Sequence, residues 1–172
     1  VTYLNTDKYG IIDLMELSDS VTPDTFLISV MHSNNELGVI NDVSKISEIA
    51  KEKDILLHTD SVQSIGKVQF DVNELNADTA TISAHKMFGP KGIGALFIRR
   101  DTPIDKFIHG GKQERGRRGG TENIAAVAGF KKAVEILKLE MDDDIEKYSL
   151  LRSRLVTMIG ETFGDSLFLN SL

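Results

Sequence analysis

The chain has 172 residues, 41% of them hydrophobic, which is enough to bury a real core as one domain. With 26 acidic and 20 basic side chains its net charge is −6, which argues against a general binder of nucleic acid or anionic membrane. It contains no cysteine, so disulfides and thiolate metal sites within these residues are excluded; no apolar run reaches the roughly 20 residues of a membrane-spanning helix.

The opening "VTYLNTDKYG" reads like the middle of a domain, and the chain is expected to be an internal fragment of a longer protein. "FLISVMH" (26–32) is apolar and flanked by turn formers, as a buried strand would be. In "DVSKISEIAKEKD" the residues Val43, Ile46, Ile49 and Ala50 share one helical face, with Asn41 or Asp42 as the N-cap. "ILLHTD" (55–60) is again strand-like. Strand, amphipathic helix, strand predicts a βαβ unit with parallel strands. "TATISAH" (79–85) predicts a third strand and "IGALFIRR" (93–100) a fourth, antiparallel to it across the short "GPKG" turn. After a Gly/Arg-rich loop, "HGGKQERGRRGG" (109–120), Thr121 is placed to cap a helix carrying Ile124, Val127, Phe130, Val134 and Leu137. "EMDDD" predicts a break, then a second helix over about 144–163, with Ile145, Tyr148, Leu151, Leu155 and Met158 on one face. The expected domain boundary falls in that acidic stretch.

In an open α/β sheet, ligands gather beyond the carboxyl ends of the parallel strands. The first predicted strand runs into Asn34, Asn35 and Glu36. The second ends at His58 and Asp60, with Gln63 one turn on, and the third at Ser83, His85 and Lys86. An amine that condenses with an aldehyde must be partly deprotonated, hence desolvated or near another cation. A carboxylate can keep a heterocyclic nitrogen protonated, and hydroxyl and imidazole groups can bind a phosphate. Pyridoxal phosphate asks for all of these together. Lys86 leaves a strand beside Ser83 and His85, whereas Lys91 lies in a tight, wet turn, so Lys86 is the expected aldehyde-binding lysine. His58 is read as structural, and His32 and His109 carry no assigned role. The four histidines show no metal-site spacing, and "GPKGIG" fits neither phosphate-loop pattern. Lys91, Arg99 and Arg100 are read as surface charges.

The stretches "MHSNNELGVI", "HTDSVQSIGK", "SAHKMFGPKGIGALFIRR" and "HGGKQERGRRGGTEN" together strongly resemble the cysteine desulfurases of the NifS/IscS type. These are pyridoxal-phosphate enzymes of the class V aminotransferase group with the aspartate-aminotransferase-like fold (fold type I). The resemblance implies an α/β fold: a mainly parallel mixed sheet flanked by helices, part of the large domain. Residues 1–140 would form the C-terminal part of that domain and 141–172 the start of a smaller one. It implies that Lys86 bonds the cofactor aldehyde and moves the substrate Cα proton. Asp60 would pair with the pyridine nitrogen, and Gln63 with the ring hydroxyl oxygen. Ser83 and His85 would hold the phosphate, and Asn35 would sit near the ring hydroxyl and the substrate carboxylate. Thr121 would reach the phosphate of a neighbouring subunit's cofactor in a homodimer. The implied substrate is L-cysteine, and the implied partner is a sulfur acceptor or iron–sulfur scaffold protein; the default compartment is the cytoplasm. In the family the nucleophilic cysteine lies C-terminal to the matched part, which accords with its absence here, and exposed apolar surface is then expected. Selenocysteine lyases and aminotransferases of the same fold are the nearest alternatives. A non-catalytic scaffold is a further one, but would have no need of Lys86.

Overall fold

The computed structural model describes residues 1–170. In β1 (Leu27–Met31) Ile28 and Val30 are buried and their neighbours Leu27 and Ser29 are exposed, the two-residue alternation of a sheet with one covered face. The cover is α2 (Val43–Glu52), which buries Val43, Ile46, Ser47 and Ala50. Asp42 caps it, accepting the Lys45 backbone N–H at 3.1 Å. Asn41 is occupied otherwise: its amide donates to Met31 O and accepts from Ile12 N, tying the start of the chain to the end of β1. With Leu17 of α1 (Leu14–Ser20), Ile55, Leu57 and Ala77, these side chains form the main hydrophobic cluster.

β2 (Leu56–Asp60) and β3 (Thr79–Ser83) follow, and the strand order is β1-β2-β3-β4. The first three strands are parallel, with Ser29 opposite His58 and Asp60 opposite Thr81. β4 (Gly94–Ile98) runs antiparallel to β3, with Gly94 opposite Ser83. The expected βαβ unit and the antiparallel return are both present. β3 stops two residues earlier than expected, at Ser83. Ala84 makes the last ladder bond, to Ile93 O, and the chain then coils into a 3₁₀ turn, Ala84–Met87, that carries His85 and Lys86.

Three local expectations are corrected. The helix after the Arg/Gly loop is capped by Asn123, not Thr121: the Asn123 side chain accepts Ala126 N–H at 3.1 Å. That helix, α5 (Ile124–Phe163), runs 40 residues without a break at 140–144. The acidic residues do not stop it because Leu137, Met141 and Ile145, at four-residue spacing, stay half-buried on one stripe and no proline or glycine intervenes. The expected boundary at 140/141 therefore lies inside a helix, and residues 171–172 of the expected smaller domain lie outside the described residues. Finally, Arg99 is not a free surface charge. Its guanidinium donates to Ala77 O and Val72 O at 3.0 and 2.9 Å, closing the C-terminal end of the short helix α3 (Val72–Leu75).

The remaining short helix, α4 (Gln113–Gly116), is kinked, with Glu114 and Arg115 both in left-handed backbone. The expected exposed apolar surface is present on Phe26, Phe88 and Phe107 and along the outer side of α5, where Leu150, Leu155 and Met158 face out. Among the described residues no helix is long and apolar enough to cross a membrane.

Candidate functional site

The carboxyl edge of the parallel strands is tied together beyond the strands themselves. His32 N–H donates to Asp60 O at 2.9 Å and Ser61 N–H to Thr81 O at 3.1 Å, so the ladder continues past the end of each strand. The Ser33 and Ser64 hydroxyls meet at 2.8 Å in the interior and join the loop after β1 to the turn after β2. Side chains at this edge thus stand on a rigid platform, which precise positioning requires.

In the first loop, Asn34 is consumed by the turn itself, its side chain accepting Glu36 N–H and Leu37 N–H at 2.9 and 3.0 Å. Asn35 is left exposed beside it. At the end of β2, one Asp60 carboxylate oxygen accepts Val62 N–H at 2.9 Å, which sets the carboxylate's orientation. The chain then coils through 61–68, with Ser61 O and Ser64 O each accepting two backbone N–H groups. Gln63 is half-buried on this coil, and its Oε1 accepts from Lys67 Nζ at 3.0 Å. Burial, and then the charge of Lys86, lower the Lys67 ammonium below the usual lysine range. Beyond β3, Ser83 Oγ lies 2.8 Å from His85 Nδ1. Lys86 is half-buried and Lys91 exposed, the contrast that the turn chemistry predicts.

Asn35, Asp60, Gln63, Ser83, His85 and Lys86 therefore all stand at the same edge of the sheet. Thr121 does not join them. It lines a separate groove of about 890 Å³ along β4, with Arg115, Arg117, Arg118 and Thr81 among its other walls. The Lys67–Gln63 hydrogen bond has no motif to announce it. Its only sequence signal is the four-residue spacing, which matters once the segment is known to coil.

His58 carries a polar row across the open face of the sheet. Its Nδ1 meets Ser29 Oγ at 2.8 Å and its Nε2 meets Thr81 Oγ1 at 2.7 Å. Burial lowers its pKa, while the negative charge of Asp60, two residues on, works in the opposite direction. Both ring nitrogens are satisfied by neutral hydroxyls, which fits the structural role expected of it. Among the described residues no three His, Asp or Glu side chains converge as a metal site would require.

A family model for aminotransferase class V matches residues 1–167. The chain is 47% identical over 165 residues to the cysteine desulfurase IscS of Dictyoglomus turgidum, covering 96% of this chain and 42% of that protein. It is 47% identical over 158 residues to the mitochondrial cysteine desulfurase of Saccharomyces cerevisiae, covering 91% of this chain and 32% of that one. Among solved structures, a NifS-like protein superposes with a TM-score of 0.89 at 43% identity, over 95% of this chain and 45% of its own. A structure of SspA in complex with cysteine gives 0.75 at 43% identity, over 78% and 40%. The chain thus spans less than half the length of these relatives. With its mainly parallel sheet, its helices and its ordered site motifs all accounted for, the chain belongs to the class V aminotransferase family.

Proposed function

We propose that the protein to which these residues belong is a pyridoxal-phosphate-dependent cysteine desulfurase. It converts L-cysteine to L-alanine and passes the sulfur on as a protein persulfide. The observation that carries this reading is that Asp60 and Gln63 follow the carboxyl end of β2 while Ser83, His85 and Lys86 follow that of its parallel neighbour β3. The identity to proteins named as cysteine desulfurases supports it.

The donor set fits the cofactor by its chemistry. A half-buried amine suits an aldehyde, an oriented carboxylate suits a pyridine nitrogen, and a hydroxyl–imidazole pair suits a phosphate. Pyridoxal phosphate, when bound, supplies an aldehyde for amines and a ring that accepts electrons from the substrate Cα. Lys86 would hold the cofactor at its aldehyde and, as a free amine, would take the substrate Cα proton. Asp60 keeps a proton on the ring nitrogen. Gln63 donates to the ring oxygen, Ser83 and His85 hold the phosphate, and Asn35 orients the substrate carboxylate. Thr121 serves the phosphate of the other subunit in a homodimer, which gives a use to its separate groove.

A cysteine thiolate outside these residues attacks the substrate sulfur. The carbon–sulfur bond breaks, its electrons stay with the substrate carbons, and one proton added at Cβ and one returned to Cα complete L-alanine. Substrate and thiol become alanine and persulfide without an external oxidant or reductant. The sulfur then goes to an acceptor such as an iron–sulfur scaffold protein, in the cytoplasm. Residues 1–140 are assigned to the large domain and 141–172 to the start of the smaller one, with α5 running continuously from one into the other.

The test uses the full-length protein loaded with pyridoxal phosphate and given L-cysteine. Alanine and protein persulfide are expected in equal amounts, with both lost in Lys86→Ala. A keto acid in place of alanine would move the reading to a transaminase.

A further inference from the structure

The structure points beyond the motif residues to Lys67. A glutamine amide has two ends of similar shape and opposite function, an acceptor oxygen and a donor NH₂. A cofactor ring oxygen needs the donor end, and a flipped amide would set oxygen against oxygen. Nothing in Gln63 itself selects the flip. Lys67 does, because an ammonium only donates: with Lys67 Nζ 3.0 Å from Gln63 Oε1, the oxygen is engaged and the NH₂ end is the one left for a ligand.

The lysine is also held in place. Its backbone N–H donates to Ser64 O at 3.0 Å, and the preceding Gly66 sits tightly against the Leu137 side chain of α5. Its side chain is exposed apart from its bond to Gln63, and partial burial, with the charge of Lys86 added, lowers its ammonium below the usual lysine range.

We propose that Lys67 is a positioning residue that locks the Gln63 amide with its NH₂ end toward the ring oxygen of the cofactor. The inference rests on the pyridoxal-phosphate reading given above. The test titrates the visible absorption band of bound pyridoxal phosphate against pH in the full-length protein and measures the cofactor's dissociation constant. In Lys67→Met the freed amide no longer holds its NH₂ end on the ring oxygen, which favours the proton-bound form of the bound cofactor, so the pH midpoint rises by about one unit. The dissociation constant rises about tenfold. Lys67→Arg, which keeps a cationic donor, stays near the wild type. In a Gln63→Ala background the Lys67→Met shift largely disappears, because the effect passes through Gln63.

A Lys67→Met protein with unchanged midpoint and unchanged dissociation constant overturns the inference alone. So does a shift that persists in full without Gln63, since that would be charge acting through space. A wild-type protein that shows no visible band with pyridoxal phosphate, or a band that survives Lys86→Ala, overturns the cofactor reading and the inference with it.

Discussion

Gly66 is where the site-bearing coil touches α5, and Gly66→Ala tests that contact. The residue has φ +82°, a region that costs an L-residue about 1–2 kcal/mol. An added Cβ would stand 2.5 Å from Leu137 Cδ1. Forcing a methyl into a packed contact costs about 1–3 kcal/mol, and the lower part of that range applies because the clashing atom ends a flexible side chain. The two effects sum to about 2–4 kcal/mol of lost stability. Urea unfolding of the full-length apo-protein measures it, and the double variant Gly66→Ala/Leu137→Ala divides it. Removing the Leu137 methyls should relieve the clash and leave the backbone strain, so the pair is less than additive by about 1 kcal/mol. A Gly66→Ala loss below about 0.5 kcal/mol would refute the argument from φ. Strict additivity of the two changes would refute the argument from packing.

Arg99→Ala should cost about 1.5–3 kcal/mol in the same assay, because it leaves the Ala77 and Val72 carbonyls without their charged donor. Arg99→Lys should recover only part of this, since one ammonium does not reproduce the two-pronged fork. At the start of α5, Asn123→Ala should cost about 1 kcal/mol of stability, the usual worth of an N-cap. Thr121→Ala should be nearly neutral for folding and should weaken cofactor retention, read as a raised pyridoxal-phosphate dissociation constant.

His32 is buried, its Nδ1 has no hydrogen-bond partner, and burial lowers its pKa. The unfolded chain therefore takes up this proton near pH 6.5 while the folded chain resists it. Stability should fall as pH drops from about 6.5 towards 5, with a slope of at most ~1.4 kcal/mol per pH unit for this one group. His58, lowered for the same reason, adds in the same direction, so His32→Asn should flatten the slope without abolishing it. A slope unchanged by His32→Asn would count against a neutral buried imidazole at this position.

Much of the framework was legible in the chain itself. The apolar runs at 26–32 and 55–60 and the amphipathic segment between them could hardly form anything but β1, α2 and β2, because alternation and helical periodicity are local properties. The rule that ligands gather at carboxyl strand ends then sufficed to collect Asp60, Gln63, Ser83, His85 and Lys86 at one edge. Elsewhere the local signal misled. Three consecutive aspartates look like a helix break, yet α5 continues because Leu137, Met141 and Ile145 keep a half-buried stripe running past them and no proline or glycine intervenes. Thr121 and Asn123 are both good caps, and only the path of the loop selects the second.

What tertiary structure alone decided were the contacts that join residues far apart in the chain. The register of β1, β2 and β3 sets Ser29, His58 and Thr81 in a row, and the return of β4 brings Arg99 to the carbonyls of α3. The packing of Gly66 on α5 holds the coil from which Lys67 reaches Gln63. Sequence periodicity records which face of an element is buried; it does not record which neighbour covers that face or at what offset, and those two quantities determine the polar pairings that run between elements.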